Sequence, residues 1–157
     1  MTSNASINQR LTDMGLVLPT PPEPVACYVP AVISAGHIHV SGQIPLKDGQ
    51  LMATGPVPTK VTIEQAQAAA RQCAINAIAV LAGCVDGDLD RIQQIVRLGV
   101  FVQCEAGFAD QPIVANGASE LIGDLFGASG RHARAAVGVN ALPLNATVEV
   151  ELMARFA

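Results

Sequence analysis

With 157 residues, half of them apolar and 14% charged, the chain can bury one sizeable core and lies far from disordered compositions. Its formal charge of −4, with Lys47 and Lys60 as the only lysines, weighs against a grip on nucleic acid, which needs clustered cations and stacking aromatics. The apolar residues, mostly Ala, Val, Ile and Leu, exceed what one small core consumes, so one face is expected to be covered by further copies in a closed homo-oligomer.

Ile7, Leu11 and Met14 recur at helical spacing behind Ser3 and Asn4, with Gly15 placed to end a short N-terminal helix. Pro19 to Pro24 is too proline-dense for helix or central strand and reads as an extended connector, which divides the chain into 1–24 and a body of 25–157. Two β runs, Tyr28 to Ser34 and His37 to Ser41, flank Ala35-Gly36 as a hairpin, and Gly42 is expected to break the second. Lys47-Asp48-Gly49 marks another turn, and a loop fills Gly55 to Pro58.

Thr62 and Gln65 form a capping box for a long helix to about Leu81, with Ala69, Cys73, Asn76, Ala77 and Val80 on one side and Gly83 at its end. A strand from Ile92 to Val102 follows. Asp110 and Pro112 then open a second long helix through Phe126, stopped by Gly127. Two last strands, Arg134 to Asn140 and Thr147 to Phe156, are joined by a loop holding Pro143 and Asn145.

The order β-β-α-β-α-β-β predicts an α+β sandwich, a mainly antiparallel six-stranded sheet with two long helices on one face. In the final strand Val148, Val150 and Leu152 point one way and Thr147, Glu149 and Glu151 the other. If Val137 and Val139 share the core side, then Arg134, Ala136 and Gly138 fall on the uncovered face with the glutamates. That face would hold a cation, an acid and room for something small.

No run approaches the roughly 20 apolar residues of a membrane span, since Arg71, Gln72 and Asn76 interrupt the longest one. The polar start lacks a secretory pattern, so a cytoplasmic location is expected. Cys27, Cys73, Cys84 and Cys104 form no C-x-x-C pair and are expected as buried reduced thiols. His37 and His39 share a strand face, but a third ligand is not identifiable, so neither metal nor cofactor is assigned.

Several separated motifs in order resemble one family over about Val25 to Phe156: Tyr28, Ser41-Gly42-Gln43-Ile44-Pro45, Ala133-Arg134 with Val137, Leu142-Pro143, and Val148-Glu149-Val150-Glu151. The chain is similar in these to the Rid (YjgF-type) enamine and imine deaminases. The resemblance implies the fold of the trimeric bacterial chorismate mutases, with three subunits packing their sheets inward around three inter-subunit clefts. It implies hydrolysis of 2-imino or enamine acids to 2-keto acids and ammonia. By position, Arg134 would hold the substrate carboxylate and Glu149 would orient the attacking water. Tyr28 would enter the cleft, with Ser41 and Asn116 as polar groups around it. The family's frequent Cys two residues after the arginine is Ala136 here, and the N-terminal helix and connector extend beyond the short members.

Read without the family, Arg134 pairs with Glu149 or Glu151 across neighbouring strands, and such a neighbour would depress the Glu149 pKa. Tyr28 reads equally as interface packing, and the loop Gly127 to Gly130 with Arg131 and His132 lacks a phosphate-loop pattern. Two other functions stand beside imine hydrolysis: non-catalytic binding of a small carboxylate, and ribonuclease or RNA binding.

Overall fold

Helix formation begins at Ser6, whose hydroxyl accepts from the Gln9 N–H and caps α1 (Ile7–Asp13). The computed structural model describes residues 5–21 and 27–157, so Ser3, Asn4 and the Pro24/Val25 boundary lie outside the described residues. Ile7 and Leu11 of α1 are buried, and the Ile7 N–H donates to Asp90 Oδ1 at 2.7 Å.

The first hairpin pairs β1 (Ala31–Ser34) with β2 (His37–Gln43) through Ala35 and Gly36, both at positive φ as a tight hairpin turn requires. Tyr28 precedes the strand in a bend rather than opening it. Gly42 does not end β2. The strand continues to Gln43 through a register shift between Val40 and Gln43, so the Ser41-Gly42 stretch bulges where a break was expected. A separate ribbon of β3 (Leu46–Lys47) and β4 (Gln50–Leu51) turns at Asp48-Gly49.

The capping box is present at Thr62 and Gln65, where α2 (Ile63–Cys84) begins. This helix runs past Gly83, which stays helical; the chain turns out later, where Asp86 and Gly87 have positive φ and the Gly87 N–H reaches Ala82 O at 2.8 Å. Next come β5 (Ile92–Gln103), α3 (Gln111–Phe126), β6 (Ala133–Val139) and β7 (Val148–Phe156). Among the described residues the sheet has five strands in the order β1-β2-β7-β5-β6, not six, because the β3–β4 ribbon stands apart from it.

β6 pairs in parallel with β5 and is not a neighbour of β7. The long β5 slips between the two last strands, so the sheet is mixed and their short connecting loop is not a hairpin. α2 and α3 cover one face, against which Leu98, Val100, Val102, Val148, Val150 and Leu152 are buried. Each such side chain contributes about 1.5–3 kcal/mol on leaving water, which makes this the layer that holds the sandwich. Of the four cysteines Cys73 alone is fully buried; Cys84 and Cys104 are intermediate and Cys27 is exposed.

Candidate functional site

Register settles which residues share a face. Across the sheet Leu98 pairs with Arg134 and with Leu152, whereas Phe101 pairs with Val137 and with Glu149. Paired residues point the same way, so Arg134, Ala136 and Gly138 lie on the helix side and Glu149, Glu151 and Val137 on the open side. This reverses the expected face for Arg134 and leaves Val137 45% exposed instead of in the core. The expectation failed because it treated β6 and β7 as adjacent, and the alternation of an Ala-, Gly- and Val-rich edge strand does not reveal its phase.

Arg134 is therefore not the cross-strand partner of either glutamate. Its Nη1 donates to Asn116 Oδ1 and to Ser119 Oγ, each at 3.0 Å, and its Nη2 to Pro112 O at 3.4 Å. All three acceptors belong to the first three turns of α3. Among the described residues no carboxylate lies within ion-pair range of this guanidinium. Ala136 sits half-covered on the same face two residues on.

Glu149 occupies the other end of the candidate set. Its carboxylate fills the space above Gly42, where any Cβ would overlap Oε1, so the bulge glycine is what allows the acid to sit there. Burial and then the nearby Glu151 charge push its pKa up from the usual carboxylate value, opposite to the depression an adjacent arginine would cause. Ser41 stands beside Gly42 and donates its hydroxyl to Val29 O at 2.8 Å. Tyr28, 57% exposed, shares with Gly42, Gln43, Ile44 and Leu144 the lining of a cavity of about 600 Å³.

The residues thus fall into two groups: Arg134, Asn116 and Ala136 by α3, and Tyr28, Ser41 and Glu149 around the β2 bulge. The α carbons of Arg134 and Glu149 are separated by two strand spacings, about 10 Å, and by three residues along the strands, about 10 Å more, on opposite faces. One chain does not bring them to one small molecule.

A raised carboxylate pKa has a stability consequence. Glu149 binds its proton more tightly in the folded chain, so its contribution is fully present below the unfolded pKa and is lost as pH rises through the folded one. Glu149→Gln is accordingly expected to raise the thermal midpoint at neutral pH, with the gain closing as pH falls below the carboxylate range. A midpoint difference that does not change with pH would contradict the burial of this acid.

The family model described as "YjgF/chorismate_mutase-like, putative endoribonuclease" matches residues 8–156. The chain belongs to the YjgF/Rid family. Protein TCP17 of Trypanosoma cruzi is 41% identical over 154 residues, which cover 98% of this chain and 96% of that one. The crystal structure of Atu1372 from Agrobacterium tumefaciens is 41% identical with a TM-score of 0.90, covering 96% of this chain and 92% of its own. YjgF of E. coli is 28% identical, with a TM-score of 0.62 over 87% of this chain and 93% of that chain.

The fold is accordingly the YjgF/chorismate-mutase-like one, and the family match takes in α1. Sequence reading missed Ser119 and His132, which join Arg134 through hydrogen bonds. The available signal was Ser119 three residues after Asn116, hence on the same face of α3. Among the described residues no helix is long and apolar enough to cross a membrane.

Proposed function

We propose that this YjgF/Rid protein hydrolyses reactive 2-imino or enamine acids to 2-keto acids and ammonia at clefts between the subunits of a homotrimer. In each cleft Arg134 and Asn116 of one protomer face Tyr28, Ser41 and Glu149 of the next. The observation that carries the reading is Arg134 itself: a guanidinium braced by three acceptors of α3, with no carboxylate beside it among the described residues. A bound carboxylate supplies the missing counter-charge through two parallel charge-assisted hydrogen bonds.

The chemistry asks little else of the protein. Water oxygen bonds to the imine carbon as one water proton passes to the imine nitrogen. The hydroxyl proton of the resulting carbinolamine then moves to the nitrogen as the C–N bond breaks and C=O forms, leaving a 2-keto acid and ammonia. A carboxylate facing the imine accepts a hydrogen bond from such a water and can take up its proton, which is the part given to Glu149. Ala136 in place of a thiol leaves no nucleophile at that position, and the hydrolysis as written needs none.

Separation of the two groups within one chain supports assembly, as do Val32, Ile33 and Val137, apolar side chains about half exposed on strands at or near the sheet edges. The family description also names an endoribonuclease. A formal charge of −4, with one tyrosine and no tryptophan, gives RNA neither counterion replacement nor stacking surfaces.

The deciding experiment is ammonia release from imines made in situ by an amino-acid oxidase, with several side chains, for wild type and Arg134→Ala. Release above buffer by wild type alone is the expected result. Equal rates with wild type, variant and buffer would sink the deaminase reading in favour of a carboxylate-binding module, and salt-sensitive RNA binding would reopen the nuclease.

A further inference from the structure

A guanidinium has five N–H donors, and the protein occupies three of those on Arg134. Nη1 donates to Asn116 Oδ1 and to Ser119 Oγ, each at 3.0 Å, and Nη2 to Pro112 O at 3.4 Å. Among the described residues Nε–H has no acceptor and Nη2 carries a second hydrogen, and these two nitrogens form one edge of the planar group. We propose that Ser119 and His132 are positioning residues whose hydrogen-bond chain reserves this Nε–Nη2 edge of Arg134 for the carboxylate of the substrate. The inference rests on the deaminase reading for the identity of the acid.

Each link forces the next. The Gly130 carbonyl can only accept, so His132 Nδ1, 2.6 Å away, carries a hydrogen. In the neutral ring this leaves Nε2 as an acceptor, and Ser119 Oγ lies 2.9 Å from it. Arg134 Nη1 can only donate, so Ser119 accepts there and its single hydrogen goes to His132. The far end of the chain is fixed as well. Gly130 is buried against α3 so closely that a Cβ would press on Ile122 O, which ties its carbonyl to the helix that carries Ser119 and Asn116. The hydroxyl is therefore oriented before any ligand arrives, and a pre-oriented acceptor keeps Nη1 turned inward and the other edge outward.

Removing Ser119 frees an Nη1 donor, and removing His132 leaves the Ser119 hydroxyl without its fixed orientation; either lets the guanidinium turn, which weakens substrate binding without touching the reacting carbon. The test titrates pyruvate, a stable 2-keto acid, into wild type, Arg134→Ala, Ser119→Ala, His132→Phe and Ser119→Thr by calorimetry, beside imine turnover by the same proteins. Ser119→Ala and His132→Phe are each expected to weaken pyruvate binding and raise KM about five- to tenfold, the loss of one hydrogen bond, with kcat within about twofold. Ser119→Thr, which keeps the hydroxyl, restores most of the affinity, and unchanged thermal midpoints show that the fold survives. Unaltered affinity in both variants overturns the proposal, as does a fall in kcat at constant KM, or pyruvate binding that Arg134→Ala leaves intact. Pyruvate binding that depends on Arg134, in a protein without turnover, removes the deaminase reading and leaves the positioning role to be decided by affinity alone.

Discussion

Arg134→Ala is expected to lower kcat/KM for a 2-imino acid by about 10²- to 10³-fold while moving the thermal midpoint by no more than a few degrees. The two effects separate because of where the side chain stands. Its hydrogen bonds reach exposed or half-exposed acceptors on α3, so water replaces them in the variant at small net cost. A substrate carboxylate in a closed cleft has no such substitute, and the loss falls on positioning. Arg134→Lys keeps the charge but not the planar fork, and an ammonium cannot satisfy Asn116, Ser119 and a bidentate carboxylate together. Lysine is therefore expected to recover no more than a small part of the lost rate. Steady-state kinetics with two imines of different side chain is the check; an alanine variant within twofold of wild type would mean that the carboxylate is held elsewhere.

The largest effect on stability is expected from Gly117→Ala. This glycine lies on α3 where the helix meets α2, and a Cβ there would overlap the backbone carbonyl oxygen of Gln67. No flexible side chain can yield. The two helices must separate, although they share the Gln67 Nε2 bond to Ile113 O at 2.8 Å and a row of buried residues, Ala66, Ala70, Val114 and Ala118. Overpacking of this kind costs about 3 kcal/mol, the upper part of its usual range, and in a chain of this length lowers the thermal midpoint by roughly 10 °C. Gly123 on the same helix faces open space, so Gly123→Ala serves as the control and is expected to be neutral or stabilising by up to about 1 kcal/mol. Denaturant midpoints that place both variants together would show that α2 and α3 can part without loss.

The same close approach explains what was legible in the sequence. Local chemistry reads well: the Thr62–Gln65 capping box, the Asp110 start of α3, the Ala35-Gly36 turn and the alternation of β7 all depend on residues within a few positions of one another. The set Tyr28, Ser41, Asn116, Arg134 and Glu149 came from the family resemblance, and its partition did not. That required knowing that β5 enters between β6 and β7, a non-local pairing that no short window encodes. Thr147 makes the point on a smaller scale. By alternation its place just before β7 puts it on the glutamate side, yet it is fully buried and donates to Gly55 O at 2.8 Å, because a loop 92 residues earlier in the chain covers it. Ser119 and His132 were missed for the same reason, since their importance appears once a helix and a strand edge are side by side.

In the proposed homotrimer, the division of the candidate site into two groups would make the junction between protomers, not the chain, the unit that works. In such a ring a cleft would need Arg134 from one neighbour and Glu149 from the other, so a chain lacking one group could still lend its intact half. Two proteins each expected to be impaired, Arg134→Ala and Glu149→Gln, unfolded together and reassembled at equal amounts, would form mixed rings in about three cases of four, each with one whole cleft out of three. About a quarter of the wild-type clefts would return from two preparations that have none. Such recovery has no source in a protein whose active site is built within single chains.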